Sequence, residues 1–291
     1  MEATNLESMV WKIFLARSFP KIMKLFQIKF VSNHIVNFFK DLLGSTVDMR
    51  DEMGINRQDM LQLMMHARGK DSKYKLDRLN MTAQIFTFFI GGLETTSTQL
   101  CIISHLLAIH PDVQKRLQDE IDEIIVKYKG MPTYEAIDGM DYLDAVYNES
   151  MRLHVQVTFI DRLCIKTFEL PPALPGGKPF VMQPGMNVWI PVTGIHTDPR
   201  YFDDPETFNP ERYYKKKLFI NDVTNLGFGI GPRSCIGSRF AIMETKVLFF
   251  FLLSIFNLIA NEKTAKPFVY GKHSISVVAE GGYWLEIEKR N

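Results

Sequence analysis

The chain has 291 residues, 46% of them hydrophobic and 23% charged, with a net charge of +1. That is ordinary globular composition, long enough for a large core, and its near-neutral charge gives no electrostatic case for nucleic acid. Three cysteines, Cys101, Cys164 and Cys235, are an odd and sparse set, which points to a reducing compartment with no disulfide framework.

Residues 1–9 are polar and contain Glu2 and Glu7, and make neither a signal peptide nor an anchor. Val10 to Phe30 sets Lys12, Arg17, Lys21, Lys24 and Lys29 among Trp11, Phe14, Phe19, Phe26 and Phe30, with no acidic residue. This reads either as two surface helices broken near Pro20 or as a basic, aromatic surface that rests on a membrane. Gln58 to Arg68 reads as a helix ending at Gly69, and Lys70 to Asn80 as a charged loop.

Met81 to Ile109 reads as one long, mostly buried helix with an unusual centre, Gly91-Gly92-Leu93-Glu94-Thr95-Thr96-Ser97. Two adjacent glycines cost about 1 kcal/mol each in a helix interior, and the hydroxyl residues add a tendency to bend. A ligand close to the helix, or a helix crossing at small residues, accounts for such a stretch. Pro111 sits at the next helix start. Val113, Leu117, Ile121, Ile124, Ile125 and Tyr128 repeat on one face of that helix, which Gly130-Met131-Pro132 ends.

Tyr142 to Leu153 forms a further helix with Glu149-Ser150-Met151-Arg152, an acid–base pair at i,i+3. Val157 to Ile165 reads as a strand, Pro171 to Pro184 as a loop and Asn187 to Thr193 as a short strand. Thr197 to Tyr214 is an irregular meander holding Phe208-Asn209-Pro210-Glu211-Arg212. Lys215 to Lys217 reads as a solvated loop or a contact for an acidic partner. Val247 to Ala260 is the most apolar run. Its fourteen residues fall short of the ~20 that span a bilayer, so a buried helix is expected. Ser274 to Glu288 reads as two strands around the turn signal Gly281-Gly282.

Seven histidines include no His-Glu-x-x-His, and no Gly-x-Gly-x-x-Gly opens a helix, since Gly227, Gly229 and Gly231 alternate. No nicotinamide or flavin site is visible. The stretch Phe228-Gly229-Ile230-Gly231-Pro232-Arg233-Ser234-Cys235-Ile236-Gly237 carries the chemistry. It places one cysteine in a glycine-rich loop just before an apolar helix, whose unpaired N–H groups favour negative charge at the sulfur. The glycines let backbone approach a flat cofactor closely, and Arg233 can pair with a carboxylate of that cofactor. A buried free cysteine beside a glycine turn is the bland alternative. A cysteine phosphatase loop needs more than the three residues that separate Cys235 from Arg239.

The pattern Phe228-x-x-Gly231-x-Arg233-x-Cys235-x-Gly237 resembles the haem-binding loop of the cytochrome P450 monooxygenases. Five residue types are fixed over ten positions. The resemblance implies haem b (iron protoporphyrin IX) with Cys235 as thiolate ligand, cradled by Phe228, Gly231 and Gly237, with Arg233 and Arg162 on its propionates. The central helix motif is similar to the family's Ala/Gly-Gly-x-Asp/Glu-Thr. That implies a proton relay at Glu94 and Thr95 and a wall near the iron at Ile90 and Gly91. It further implies a buried structural triad of Glu149, Arg152 and Arg212. Gln156, Val157, Thr158, Phe159 and Ile160 are expected to line the substrate pocket, with Val277 and Val278 from the C-terminal hairpin. Two departures stand out: Val155-Gln156 and Gly227 fall where many members have Pro.

The expected fold is mainly α with small β-sheets (α+β), the C-terminal part of the haem-thiolate monooxygenase fold. Residues 1–291 read as a single haem-binding catalytic domain lacking the family's N-terminal anchor and first helices and sheet. The family's Trp-x-x-x-Arg propionate clamp is not found, because Trp11, Trp189 and Trp284 are followed four places on by Leu15, Thr193 and Glu288. The resemblance is strongest to insect microsomal detoxification-type members. It implies a small apolar substrate (xenobiotic, lipid or hormone-like), O2, an NADPH-dependent flavoprotein reductase, and the cytosolic face of the endoplasmic reticulum membrane. It also favours the membrane-surface reading of Val10 to Phe30. Two other readings are a reductase-independent haem-thiolate isomerase or peroxygenase, against which the Glu94–Thr95 pair argues, and a non-catalytic truncated or splice fragment.

Overall fold

A computed structural model describes residues 12, 14–16, 19–68, 76–216, 225–271 and 277–290. Within them the chain is mainly helical, with three two-stranded antiparallel sheets. They form two compact units, one up to Glu94 and one from Thr95 onward.

The first unit contains α1 (Pro20–Leu25), α2 (Asn33–Met53) and α3 (Met60–Ala67). The Ser32 side chain accepts from the Ile35 N–H to cap α2, which ends at Gly54 in the left-handed region, φ 63°. Asp59 caps α3 by accepting from the Gln62 N–H at 2.9 Å. The same carboxylate takes a bidentate pair of bonds from buried Arg50 at 2.8 and 2.6 Å, tying α2 to the start of α3. Leu43, Val47, Leu61, Met65 and Met81 fill this unit's core. Trp11, Arg17, the helix-ending Gly69 and the 70–75 part of the expected charged loop lie outside the described residues.

The next helix, α4 (Arg78–Ile109), contains the boundary between the units. The second unit continues with α5 (Pro111–Lys127), α6 (Tyr134–Asp138) and α7 (Asp141–Leu153). Glu120 on α5 accepts the Tyr142 and Leu143 N–H groups at 2.8 and 3.0 Å, and so caps α7 from a neighbouring helix. Strand β1 (Phe159–Leu163) is followed by β2 (Phe168–Leu170), β3 (Phe180–Met182) and β4 (Asn187–Pro191). β1 pairs with β4, with Arg162 opposite Val188, and β2 pairs with β3. A short helix, α8 (Val192–His196), follows at once. The last helix, α9 (Ser238–Ile255), runs directly into β5 (Phe256–Ile259), which pairs with β6 (Glu286–Lys289). Leu117, Ile121, Leu143, Val146, Phe249 and Leu253 lie at the centre of the core.

Three expectations are corrected. The apolar run Val247 to Ala260 is not one helix, because the chain turns extended at Phe256 (φ −126°, ψ 153°). Gln114 on α5 then accepts the Leu258 N–H and donates to its carbonyl, both at 2.8 Å. The loop Pro171 to Pro184 contains β3. The strand after Gly281-Gly282 pairs with β5 rather than closing a hairpin across that turn, and residues 272–276 lie outside the described residues. Among the described residues, no helix is long and apolar enough to cross a membrane.

Candidate functional site

The loop before α9 is shaped by its glycines. Gly229 and Gly231 adopt φ of 68° and 76°, which a side chain would strain. The Gly229 N–H bonds the Leu226 carbonyl at 2.9 Å, Ser234 N–H bonds Gly231 at 3.0 Å, and Cys235 N–H bonds Phe228 at 2.8 Å. The last bond folds the loop back on itself and leaves the Cys235 side chain exposed. Cys235 stands three residues before Ser238, the first residue of α9, with Gly237 as its N-cap. Gly227 answers the departure from Pro: a Cβ there would stand 3.0 Å from Met151 Cε and 3.5 Å from Met151 Cβ. The Phe228 ring stacks on Tyr147 of α7, with centroids 6.2 Å apart and planes at 11°. Burial, and then charge at Cys235, pushes the Tyr147 hydroxyl above its ordinary range, so it stays protonated.

Cys235 lines a cavity of about 260 Å³ in the second unit. Arg233 and Arg162 line it too. Arg162 donates to the Asp161 carbonyl at 2.8 Å, and neither guanidinium has an acidic partner among the described residues. Thr95 and Gln99 of α4 and Gln156, Val157 and Ile160 around β1 complete the wall. An exposed thiol, two cations without counter-charge and a loop hinged by left-handed glycines fit a flat metal cofactor bearing carboxylates. Among the described residues no group of three His, Cys, Asp or Glu side chains could hold a bare metal ion.

Other expected residues fall elsewhere. Phe159 points away from Ile160 and Arg162, as alternation along β1 requires, and stacks on Trp189 at 4.4 Å. Phe159 and Thr158 do not line the cavity. Val277 is buried in the core, and Val278 also lies outside the lining. Ile90, Gly91 and Glu94 belong to the first unit and are exposed there. Phe228 and Cys235 line the cavity, whereas Gly231 and Gly237 do not.

The charged triad is assembled. Arg152 donates to both oxygens of Glu149 at 2.7 and 2.8 Å, and both residues are buried. Arg212 Nε reaches Glu149 Oε1 at 3.3 Å, and the Asn209 N–H reaches the same oxygen at 2.9 Å. Arg152 spends its other donors on the carbonyls of His196 at 2.8 Å, Pro205 at 2.7 Å and Thr207 at 3.3 Å. With every donor answered, burial of the charges is tolerable.

His196 was not legible in the sequence. Its Nδ1 stands 3.1 Å from the Arg152 carbonyl, and its Nε2 accepts the Leu226 N–H at 2.9 Å. A carbonyl only accepts and an amide N–H only donates, so the ring is neutral with its proton on Nδ1. It joins the end of α7 to the start of the cysteine loop. Burial pushes His196 down to about 4.

A family model described as Cytochrome P450 matches residues 2–285. The chain is 43% identical to Cytochrome P450 9e2 of Blattella germanica, covering 99% of this chain and 56% of that protein. It is 33% identical to Probable cytochrome P450 9f2 of Drosophila melanogaster, over 99% of this chain and 57% of that protein. Identity to Cytochrome P450 6j1 of Blattella germanica is also 33%, over 94% and 53% respectively. The fold is thus the C-terminal part of a haem-thiolate protein's fold. The chain belongs to the cytochrome P450 family, with insect proteins as relatives, and spans about half the length of the curated relatives it matches.

Proposed function

We propose that the protein is a haem-thiolate monooxygenase that inserts one oxygen atom from O2 into a small apolar substrate and takes electrons from a separate NADPH-dependent flavoprotein reductase. The observation that carries this reading is the exposed Cys235 thiol in one cavity with two guanidiniums that lack acidic partners. When bound, haem b supplies the electron and dioxygen chemistry. Cys235 Sγ is its ligand, and Arg233 and Arg162 pair with its propionates. Thr95 Oγ1 holds and passes a proton within the cavity, and Glu94 is its acid partner by the family motif. Val157 and Ile160 exclude water from the substrate side. Glu149, Arg152 and Arg212 hold the cysteine loop through His196. The family also suggests the cytosolic face of the endoplasmic reticulum membrane, with the basic, aromatic N-terminal stretch as a membrane-surface contact.

The test is the absorbance spectrum of the reduced, carbon-monoxide-bound protein. A thiolate-type Soret band is expected, and a haem-bound form without it would remove the assignment.

A further inference from the structure

We propose that Gln99 is a positioning residue for the proton step: it anchors the turn of α4 that carries Thr95 and so keeps the Thr95 hydroxyl in the cavity. This deepens the proposed function and rests on its assignment of Thr95. Gln99 follows Thr95 by four residues, and both line the cavity that Cys235 lines, so they share one face of the helix. Helical side chains lean toward the N-terminus, which lays the Gln99 amide against the turn that holds Thr95. One turn before Thr95 comes Gly91-Gly92, a pair that weakens the helix there. The hold on Thr95 therefore comes from its C-terminal side.

Gln99 is fixed at both ends of its amide. Ser150 Oγ donates to the Tyr147 carbonyl at 2.7 Å, and because a carbonyl only accepts, that proton is committed. Gln99 then meets Ser150 Oγ with its amide nitrogen, at 2.7 Å, and its Oε1 accepts from Gln156 Nε2 at 3.3 Å. The order of donors leaves the Gln99 amide a single orientation. One side chain thus ties α4 to α7 and to the segment that leads into β1. Gln99 is 2% exposed and Ser150 is fully buried, so water does not replace a bond that is lost. A proton passes only within hydrogen-bond reach, and a displacement of about 1 Å at the hydroxyl breaks that reach. When the proton arrives late, NADPH, a proton and O2 leave as NADP+ and hydrogen peroxide, with no oxygen inserted.

The first readout is the threonine methyl NMR spectrum of the full 291-residue chain, in which the Thr95 signal is the one that Thr95→Ala removes. Ser150→Ala leaves α4 unaltered but takes away the acceptor of the Gln99 amide, and should move the Thr95 signal. Gln156→Met, which frees the other end of that amide, should move it too. The second readout is the share of consumed NADPH that appears as peroxide, measured on the haem-loaded chain with reductase and 7-ethoxycoumarin as apolar probe. Gln99→Leu should raise that share at least about threefold. In a Thr95→Ala background it should add nothing, a dependence that lost stability alone does not produce. A Thr95 signal unmoved by both substitutions would overturn the proposal and leave the proposed function standing. So would an unchanged peroxide share in Gln99→Leu, or equal increments with and without Thr95. Where no turnover is seen, the methyl signal decides alone. A chain whose Thr95 signal responds but whose haem-bound form lacks the thiolate-type spectrum overturns the proposed function and leaves the anchor in place.

Discussion

Glu149 carries the residue-scale argument because it accepts from three sources while excluded from water. Glu149→Gln leaves the buried Arg152 charge without its counter-charge, which costs about 3–5 kcal/mol. Urea unfolding should show that loss, and a loss under ~1 kcal/mol would mean that the Arg152 bonds to backbone carbonyls suffice. Thr95 belongs to a different class of effect. In a protein that turns over, Thr95→Ala should divert reducing equivalents to peroxide while substrate affinity stays nearly unchanged. Fully coupled turnover in that variant would remove Thr95 from the relay. The Glu149–Arg152 pair and the cysteine loop were legible in the sequence because both are short, locally spaced patterns, whereas Arg212, 63 residues from Glu149, entered only through the family resemblance. His196, Gln99 and Tyr147 were not, because each acts through partners far away in sequence, such as Leu226 for His196 and Gln156 for Gln99.

At the scale of elements, one buried imidazole joins α7, α8 and the cysteine loop, and a second ties the end of α7 to the Tyr270 segment. His196 bridges Arg152 and Leu226, and His154 Nδ1 stands 2.8 Å from the Tyr270 hydroxyl. Burial lowers both histidines from 6.5 to about 4 in the folded protein. Between those values the unfolded chain binds protons that the folded chain refuses. Stability is therefore full above about pH 6.5 and falls as pH drops toward about 4, by roughly 3 kcal/mol for each histidine. Denaturant melts across pH 7 to 4 check this, and a flat profile would mean that the rings accept protons without breaking their bonds.

Helix α9 poses a different question. Its Phe240 is 72% and its Phe251 51% exposed, alongside half-exposed Leu248. Such an apolar face favours self-association. Phe240→Lys with Phe251→Glu should lower light scattering at equal concentration without lowering the melting temperature. Unchanged scattering would place the association elsewhere. The ends of α9 and β5 show why the sequence misled there. An apolar run such as Val247 to Ala260 reads the same as buried helix or buried strand. Gln114, more than a hundred residues earlier, completes the hydrogen bonds that make Phe256–Ile259 a strand.

For the whole molecule, haem binding and folding are linked. A ligand that binds only the folded chain raises its apparent stability with concentration. Added haem should therefore raise the melting temperature of the unmutated chain progressively, and raise that of Cys235→Ala much less. The helical class, helices α4, α5 and α7 and the cysteine loop were readable from periodicity and motif, whereas the short α6 was not. The division at Glu94 was not, because it falls inside α4, which stays one continuous helix through its glycine pair.

The central claim is that Cys235 Sγ is the ligand of a bound haem, and its most direct measurement compares three single variants. Reduced, carbon-monoxide-bound spectra of haem-loaded Cys101→Ala and Cys164→Ala should keep the thiolate-type band. Cys235→Ala should lose it, and a thiolate-type spectrum that persists in Cys235→Ala would contradict the assignment outright.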